Sequence, residues 1–279
     1  MKNILLPTDF SENSLNAIKY GLALFKNTPC NFYLLHVTLI SNYTTGDLPL
    51  IVNNTTIEKA LLDQAKTALE NLLKDIKKLS KNTNHKFFTI SSYNNFTDAV
   101  KKNIDEKNIE LIIMGTKGVS GLSEIIIGSN TGDLITKVKC PALIIPERAV
   151  YKNPEEIAFP TDYNIFYQSK ILNSITELAK MYDSSIRILH IAKKDETLTA
   201  SQLENKEFLN NFFMDEKHSF HRITNKKVEA GVQCFVESRN IDMIIMVAKN
   251  LSLFQRILFK PTVEEISYHI EIPFLVLHE

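Results

Sequence analysis

Short runs of aliphatic and β-branched residues alternate along the chain with longer stretches in which apolar residues recur every three to four positions. In the first half the short runs predict strands near residues 3–7, 31–38, 85–91, 110–115 and 141–145. The longer stretches predict helices near residues 12–26, 57–80, 95–106 and 130–138. Strands and helices that alternate in this order predict an α/β fold, with a parallel sheet covered by helices on both faces.

The second half of the chain repeats the first. Residues 5–10 (LLPTDF) recur as 158–163 (AFPTDY), and residues 109–147 align without a gap onto 241–279 at a constant offset of 132. This repeat predicts two tandem domains. The length of 279 residues suits two domains of about 140 residues each.

We place the two predicted domains at residues 1–148 and 153–279, because the stretch from Glu147 to Glu155 is polar and contains a proline, which is typical of a linker. The second domain repeats the order of the first, with a shorter connection after its second strand. The last strands of the two halves are expected near residues 141–145 and 273–277.

Glycine is concentrated at one place in the sequence. Five of the eight glycines follow the predicted fourth strand: Gly115, Gly118, Gly121, Gly128 and Gly132. They form the pattern Gly-x2-Gly-x9-Gly-Ser, which ends where the next helix begins. Glycines let backbone amides approach an anion, and a helix N-terminus offers free N–H donors, so the pattern predicts a phosphate site. Ser129 and Asn130 add side-chain donors.

A purely structural interpretation of these glycines stays open. They could form turns, and Ser129 or Asn130 could cap the helix. The spacing differs from the P-loop pattern and from the dinucleotide fingerprint, which disfavours P-loop hydrolysis and nicotinamide chemistry.

Three features together resemble the ATP-binding branch of the universal stress protein family: Pro7-Thr8-Asp9 after the first strand, Val37 at the end of the second, and the glycine pattern after the fourth. The resemblance implies two Rossmann-like domains of the adenine nucleotide alpha hydrolase-like type, each with a five-stranded parallel sheet. It also implies that the N-terminal domain binds ATP, with Mg²⁺ or Mn²⁺ bridging the phosphates.

The resemblance also assigns roles to residues. Asp9 would face the ribose or the metal, and Val37 would meet the adenine through its backbone. Pro7, Thr8 and Met114 would line the pocket. The phosphates would be held by Gly115, Gly118, Gly128, Ser129 and Asn130. Asp162 is retained in the second half, where the glycines are lost, so Asp9 or Ser11 could instead end the strand and cap the following helix.

The second half has lost the glycine pattern. At the constant offset, the residues equivalent to Gly115, Gly118, Gly121, Gly128 and Ser129 are Val247, Asn250, Leu253, Lys260 and Pro261. The added side chains would occupy space that the phosphates need, and proline has no amide donor. We therefore expect one nucleotide per chain. Alternatively, Lys260 and Arg256 could recruit a different anion.

Composition excludes several other functions. The chain has 32 basic and 32 acidic residues, so it lacks the charge of a general nucleic-acid binder. Only three consecutive apolar residues precede Pro7, which is too few for a signal peptide or a membrane span, so we expect a cytoplasmic protein. Cys30, Cys140 and Cys234 are predicted to be core residues that form no disulfide or metal site.

His218 and His221 are three residues apart in a predicted strand and should point to opposite faces, so no metal site is expected there. The sequence shows no water-positioning base or arginine finger, so we expect a regulatory ATP-binding protein with no catalytic residue. The alternatives are a slow ATPase or nucleotidyl-transfer enzyme, and a nucleotide-free interaction scaffold. The resemblance implies an intramolecular pseudo-dimer, with edge-to-edge pairing of the two last strands, and a homodimer is possible.

Overall fold

The structure is a computed structural model that describes residues 1–38, 54–116, 128–248 and 271–278. Its strands are β1 (Lys2–Pro7), β2 (Cys30–Thr38), β3 (His85–Tyr93), β4 (Leu111–Gly115), β5 (Ala142–Ile145), β6 (Glu156–Pro160), β7 (Ser185–Ala192), β8 (His218–Thr224), β9 (Met243–Val247) and β10 (Phe274–Leu277). Its helices are α1 (Glu12–Leu24), α2 (Asn54–Leu79), α3 (Phe96–Lys107), α4 (Ser129–Lys137), α5 (Ser169–Tyr182), α6 (Ala200–Phe212) and α7 (Val228–Ser238). The predicted α/β fold class is confirmed.

Local sequence explains where the helices begin and end. Ser11 caps α1 by accepting a hydrogen bond from the Ser14 amide, and Asn95 caps α3 in the same way through the Thr97 amide. Asn108 ends α3 in the left-handed conformation that asparagine tolerates at this position. These polar residues satisfy backbone groups that a helix end leaves without intrahelical partners.

The described residues up to Cys140 form one compact unit, here called unit 1. Its strands lie in the order β3-β2-β1-β4, and all pair in parallel. Pro7 lies opposite Leu35, and Ile4 lies opposite Leu111. The middle of β1 is fully buried, as expected for a central strand covered on both faces. The carboxyl ends of β1, β2 and β4 therefore meet at one edge of the sheet.

The residues from Pro141 onward form a second unit, here called unit 2. Its strand order is β5-β10-β9-β6-β7-β8. The pairs from β10 to β8 are parallel, whereas β5 and β10 pair in antiparallel, with Leu275 opposite Leu143. Packing thus places β5, the last strand of the first repeat, with the second unit. The domain limits taken from the repeat and the pseudo-dimer remain predictions.

Unit 2 confirms the predicted shorter connection after its second strand. Residues 193–199 join β7 to α6, whereas 39–53 separate β2 from α2. The prediction for the cysteines is correct for Cys30 and Cys140, which are buried, and wrong for Cys234, which is exposed. Cys234 lies on α7, where only Gly231, Val232 and Phe235 face the core. Across the described ranges, no helix combines the length and apolar character needed to cross a bilayer.

Candidate functional site

The predicted site residues of unit 1 meet at the carboxyl edge of its sheet. Pro7 ends β1, Val37 lies near the end of β2, and Met114 and Gly115 end β4. Parallel pairing of β1 with both neighbours brings these strand ends together. Open α/β sheets bind ligands at this edge, so the fold supports the predicted location.

The turn between β1 and α1 is held by its own polar side chains. The hydroxyls of Thr8 and Ser14 lie 2.9 Å apart, and the Phe10 amide donates to Thr8 Oγ1 at 3.0 Å. Asp9 Oδ1 accepts hydrogen bonds from the Ser11 amide at 3.0 Å and from the Ser11 hydroxyl at 2.5 Å. The structural role that retention in both repeats suggested for Asp9 is therefore present. Its contact with a ribose or a metal remains a prediction.

His36 fixes the end of β2 against this turn. Its Nδ1 lies 2.8 Å from the carbonyl oxygen of Thr8, and because a carbonyl only accepts, Nδ1 carries the proton. The imidazole ring packs on Phe10, with 4.5 Å between ring centroids. Phe10 adopts a left-handed backbone conformation, with φ of 64°. Val37, the residue after His36, is partly exposed at the sheet edge, and its contact with adenine remains a prediction.

Gly115 is required by packing inside the protein. A Cβ atom at this position would lie 2.8 Å from Cγ, Nδ2 and Oδ1 of Asn13, a buried residue of α1. The carbonyl oxygen of Gly115 accepts a hydrogen bond from Thr131 Oγ1 at 3.0 Å. These contacts tie β4 to α1 and α4. These contacts explain why position 115 holds glycine even without a ligand. The absence of a side chain there is therefore no evidence for the predicted contact with phosphate.

The start of α4 offers backbone donors to an anion. Gly128 is the N-cap, without a side-chain cap, so the alternative in which Ser129 or Asn130 caps the helix is wrong. The Gly128 amide donates to the Thr116 carbonyl at 2.8 Å, which anchors the helix to the end of β4. The first helical bond runs from the Gly132 amide to Gly128. Within the described ranges, the amides of Ser129 and Asn130 therefore have no protein acceptor, and both side chains are exposed.

This arrangement can bind an anion through main-chain N–H groups and the positive end of the α4 dipole. Gly118, the other predicted phosphate contact, lies outside the described residues. No group of three or more histidine, cysteine or carboxylate side chains in the described part of the chain could hold a metal ion.

Unit 2 keeps the hydrogen-bonded turn after its β6 strand but has a valine at the position equivalent to Gly115. Asp162 Oδ1 accepts a hydrogen bond from the amide of Asn164, two residues later, at 3.0 Å. In unit 1, Asp9 accepts from the amide of Ser11 in the same way. Tyr163 repeats the left-handed conformation of Phe10, with φ of 58°. At the position of Gly115, however, Val247 ends β9 as a buried residue.

A polar network crosses the sheet of unit 2. The Arg187 guanidinium donates to both carboxylate oxygens of Glu156, at 2.5 and 2.8 Å, and to Ser219 Oγ at 2.9 Å. Ser219 Oγ lies 2.8 Å from His221 Nε2. Burial lowers the pKa of His221, and the nearby cations Arg239 and Arg187 lower it further against an opposing effect of Glu156. The lowered pKa favours the neutral form of His221.

Sequence patterns missed several residues that build the site. Asn13 and Thr131 hold Gly115 from two different helices, and Thr116 and His36 anchor the neighbouring strand ends. Histidine recurs at positions 36 and 190 of the two repeats, and this recurrence could have identified its structural role. Each imidazole donates through Nδ1 to the carbonyl of the threonine that follows the preceding strand. Asn13 gave no signal, since the equivalent position in the repeat holds Phe166.

Comparison with known proteins gives matches over both sequence and structure. A sequence model of the universal stress protein family matches residues 1–146. Two universal stress proteins of Methanocaldococcus jannaschii are each 28% identical to this chain, one over 144 residues (52% of this chain, 81% of that protein) and one over 159 residues (53% and 96%). The crystal structure of a universal stress protein from Archaeoglobus fulgidus aligns with a TM-score of 0.73 at 18% identity, covering 99% of this chain and 98% of that one.

Proposed function

Because this chain belongs to the universal stress protein family, we propose that it binds one ATP molecule at the carboxyl edge of the unit 1 sheet and acts as a regulatory stress-response protein. The observation that carries this proposal is the start of α4. Its first amides point out of a helix that is anchored to β4 through the Thr116 carbonyl, and the described residues supply no acceptor for them.

The proposed pose follows from the three strand ends. The phosphates would lie against the amides and side chains of Ser129 and Asn130, together with Gly118. They would pass beside Gly128, whose own amide is bonded to Thr116. The adenine would lie near Val37, a partly exposed residue next to the last residue of β2. Thr8 and Pro7 are buried and would form the floor of the pocket, with Met114 beside them. Mg²⁺ or Mn²⁺ would neutralise the phosphate charge through phosphate oxygens and water.

Regulatory binding, rather than turnover, fits the geometry at this edge. The carboxylate of the β1–α1 turn, Asp9, already accepts two hydrogen bonds from Ser11 and is engaged in holding the turn. Rapid phosphoryl transfer needs a group that orients the attacking water. Phosphate release measured alongside ATP binding tests this point. Turnover that is abolished by Gly118→Val in a folded protein would favour the enzymatic alternative.

Titration calorimetry of the full chain tests the binding proposal directly. We expect one equivalent of ATP per chain in the presence of Mg²⁺, and much weaker binding of adenosine, because the α4 amides contact only the phosphates. Nucleotide released by denaturing freshly purified protein should be identified by mass in parallel. Two equivalents per chain would contradict the loss of the second site. Absence of any adenine nucleotide binding would favour the interaction scaffold.

A further inference from the structure

Unit 2 contains a cavity of about 210 Å³ at the carboxyl edge of its own sheet. The turn after β6 forms one wall through Thr161 and Asp162, and His190 near the end of β7 forms the floor. Residues of the 193–199 connection and the start of α7 close the remaining sides. The cavity therefore lies over the ends of β6, β7 and β8, away from β9, which carries the position equivalent to Gly115.

His190 is a buried acceptor without a partner in this cavity wall. Its Nδ1 donates to the Thr161 carbonyl at 3.0 Å, which leaves Nε2 as the unprotonated nitrogen of the neutral ring. The residue is only 4% exposed, and among the residues that the structure describes Nε2 has no hydrogen-bond partner. A buried polar atom of this kind costs free energy until a donor reaches it. A ligand N–H or O–H group that enters the cavity can supply that donor.

The charged lining contains both signs in equal number: Asp162, Glu196, Lys193 and Lys226. Glu196 accepts from the Lys193 amide at 2.6 Å, while no ion pair in the described part of the chain uses the ammonium groups of Lys193 or Lys226. A ligand with one charge only would meet repulsion from one of the two sets. A ligand that carries both charges can satisfy both.

The start of α7 adds donors for the negative end of such a ligand. Lys227 is the N-cap and makes no side-chain cap, and the first helical bond runs from the Gly231 amide to Lys227. Val228, at the first helical position, lines the cavity beside Lys226. The free first-turn amides and the helix dipole favour a carboxylate here.

The volume limits the size of the ligand. The volume of about 210 Å³ lies below the range of about 300–1,000 Å³ that is common for ligand pockets. The small volume favours a ligand that is smaller than the nucleotide proposed for unit 1.

We propose that this cavity binds a small zwitterion of the α-amino-acid class. Its carboxylate lies at the start of α7 and Lys226, and its ammonium group lies towards His190 Nε2, Asp162 and Glu196. Binding gives the buried imidazole a donor and places each charge of the ligand beside side chains of opposite sign. This site is independent of ATP binding in unit 1.

The test is a thermal-shift screen of the full chain with the standard L-amino acids, one at a time, followed by calorimetry of those that stabilise it. We expect at least one amino acid to bind with one equivalent per chain. His190→Phe removes the acceptor and Lys226→Met removes one ammonium group, and each should weaken binding by about tenfold or more. Lys227→Met is the matched control, because Lys227 is adjacent and exposed but does not line the cavity, and it should leave affinity unchanged.

A second readout follows the imidazole itself. In protein labelled with ¹⁵N-histidine, the Nε2 resonance that disappears in His190→Phe should shift on addition of the amino acid. The proposal is overturned if no amino acid binds the wild-type chain, if both variants bind as well as wild type, or if inorganic phosphate alone or adenosine binds more tightly. Lys226→Met alters an exposed side chain, so it keeps the test decisive even if His190→Phe does not fold.

Discussion

Replacing Ser129 by proline removes one backbone N–H from the start of α4 and leaves the helix in place. Ser129 is the first helical residue, where proline is favoured because that N–H has no helical partner. Gly128 has φ of −57° and ψ of 152°, which is the extended conformation that a residue before proline prefers. Proline therefore fits the existing backbone, and Pro261 stands at the equivalent position of the second repeat.

The expected loss in affinity follows from the hydrogen bond that is removed. A hydrogen bond from a neutral amide to a charged phosphate contributes about 1.5–3 kcal/mol, so its loss weakens binding roughly 10- to 150-fold. Ser129→Pro also removes the hydroxyl group, and Ser129→Ala isolates that contribution while it keeps the amide. The affinity ratio between these two variants reports the amide alone.

The assay is calorimetric titration of wild type and both variants with ATP in the presence of Mg²⁺. Thermal unfolding of the ligand-free proteins should show that Ser129→Pro is as stable as wild type or slightly more stable, because proline restricts the unfolded chain. If Ser129→Pro binds ATP as tightly as Ser129→Ala, the α4 amide does not contact the phosphates and the proposed pose is incorrect.

Three further predictions concern stability and reactivity. Gly115→Ala places a Cβ 2.8 Å from the Asn13 side chain and should lower the free energy of unfolding in urea by about 1–3 kcal/mol, with less than additive loss when combined with Asn13→Ala. The pKa of His221 is lowered in the folded state, so the unfolded chain binds the proton more readily as the pH falls. The free energy of unfolding should therefore decrease as the pH drops below about 6.5, and this part of the pH dependence should disappear in His221→Gln. A thiol reagent at pH 8 should label Cys234 alone in native protein and all three cysteines in denaturant. The reason is that burial raises the pKa of Cys30 to about 11 and that of Cys140 to about 12. Labelling of more than one thiol in native protein would contradict this prediction.

Element order was predictable because it depends on neighbours in sequence. The predicted strand at 85–91 is observed as β3 (His85–Tyr93), and the predicted helix at 95–106 is observed as α3 (Phe96–Lys107). Apolar periodicity and capping residues act over one or two turns, so they are legible in a single chain. The boundaries shift by a few residues where the periodic pattern continues past the element, as at the end of α1 (Glu12–Leu24).

The roles of single glycines were not predictable in the same way. Gly115 was interpreted as a position of close approach to a ligand, whereas its missing side chain accommodates Asn13, about a hundred positions earlier in sequence. The Gly128 amide was expected to face an anion and instead donates to Thr116. A glycine in a sequence indicates only that the position has no side chain. The packed structure is needed to identify the atoms that a side chain at that position would contact.

By itself, the sequence determined the α/β class, the duplication, the place of the candidate site at the strand ends and the loss of glycines in the second repeat. The tertiary structure alone decided that β5 belongs to the same compact unit as β10, that Asn13 and Thr131 contact Gly115, and that His190 lines a small cavity with a nitrogen for which the described residues supply no partner. The division has a physical reason. Periodicity and capping arise between residues that are close along the chain, whereas strand pairing across a repeat and the satisfaction of buried polar atoms depend on segments that meet only after folding.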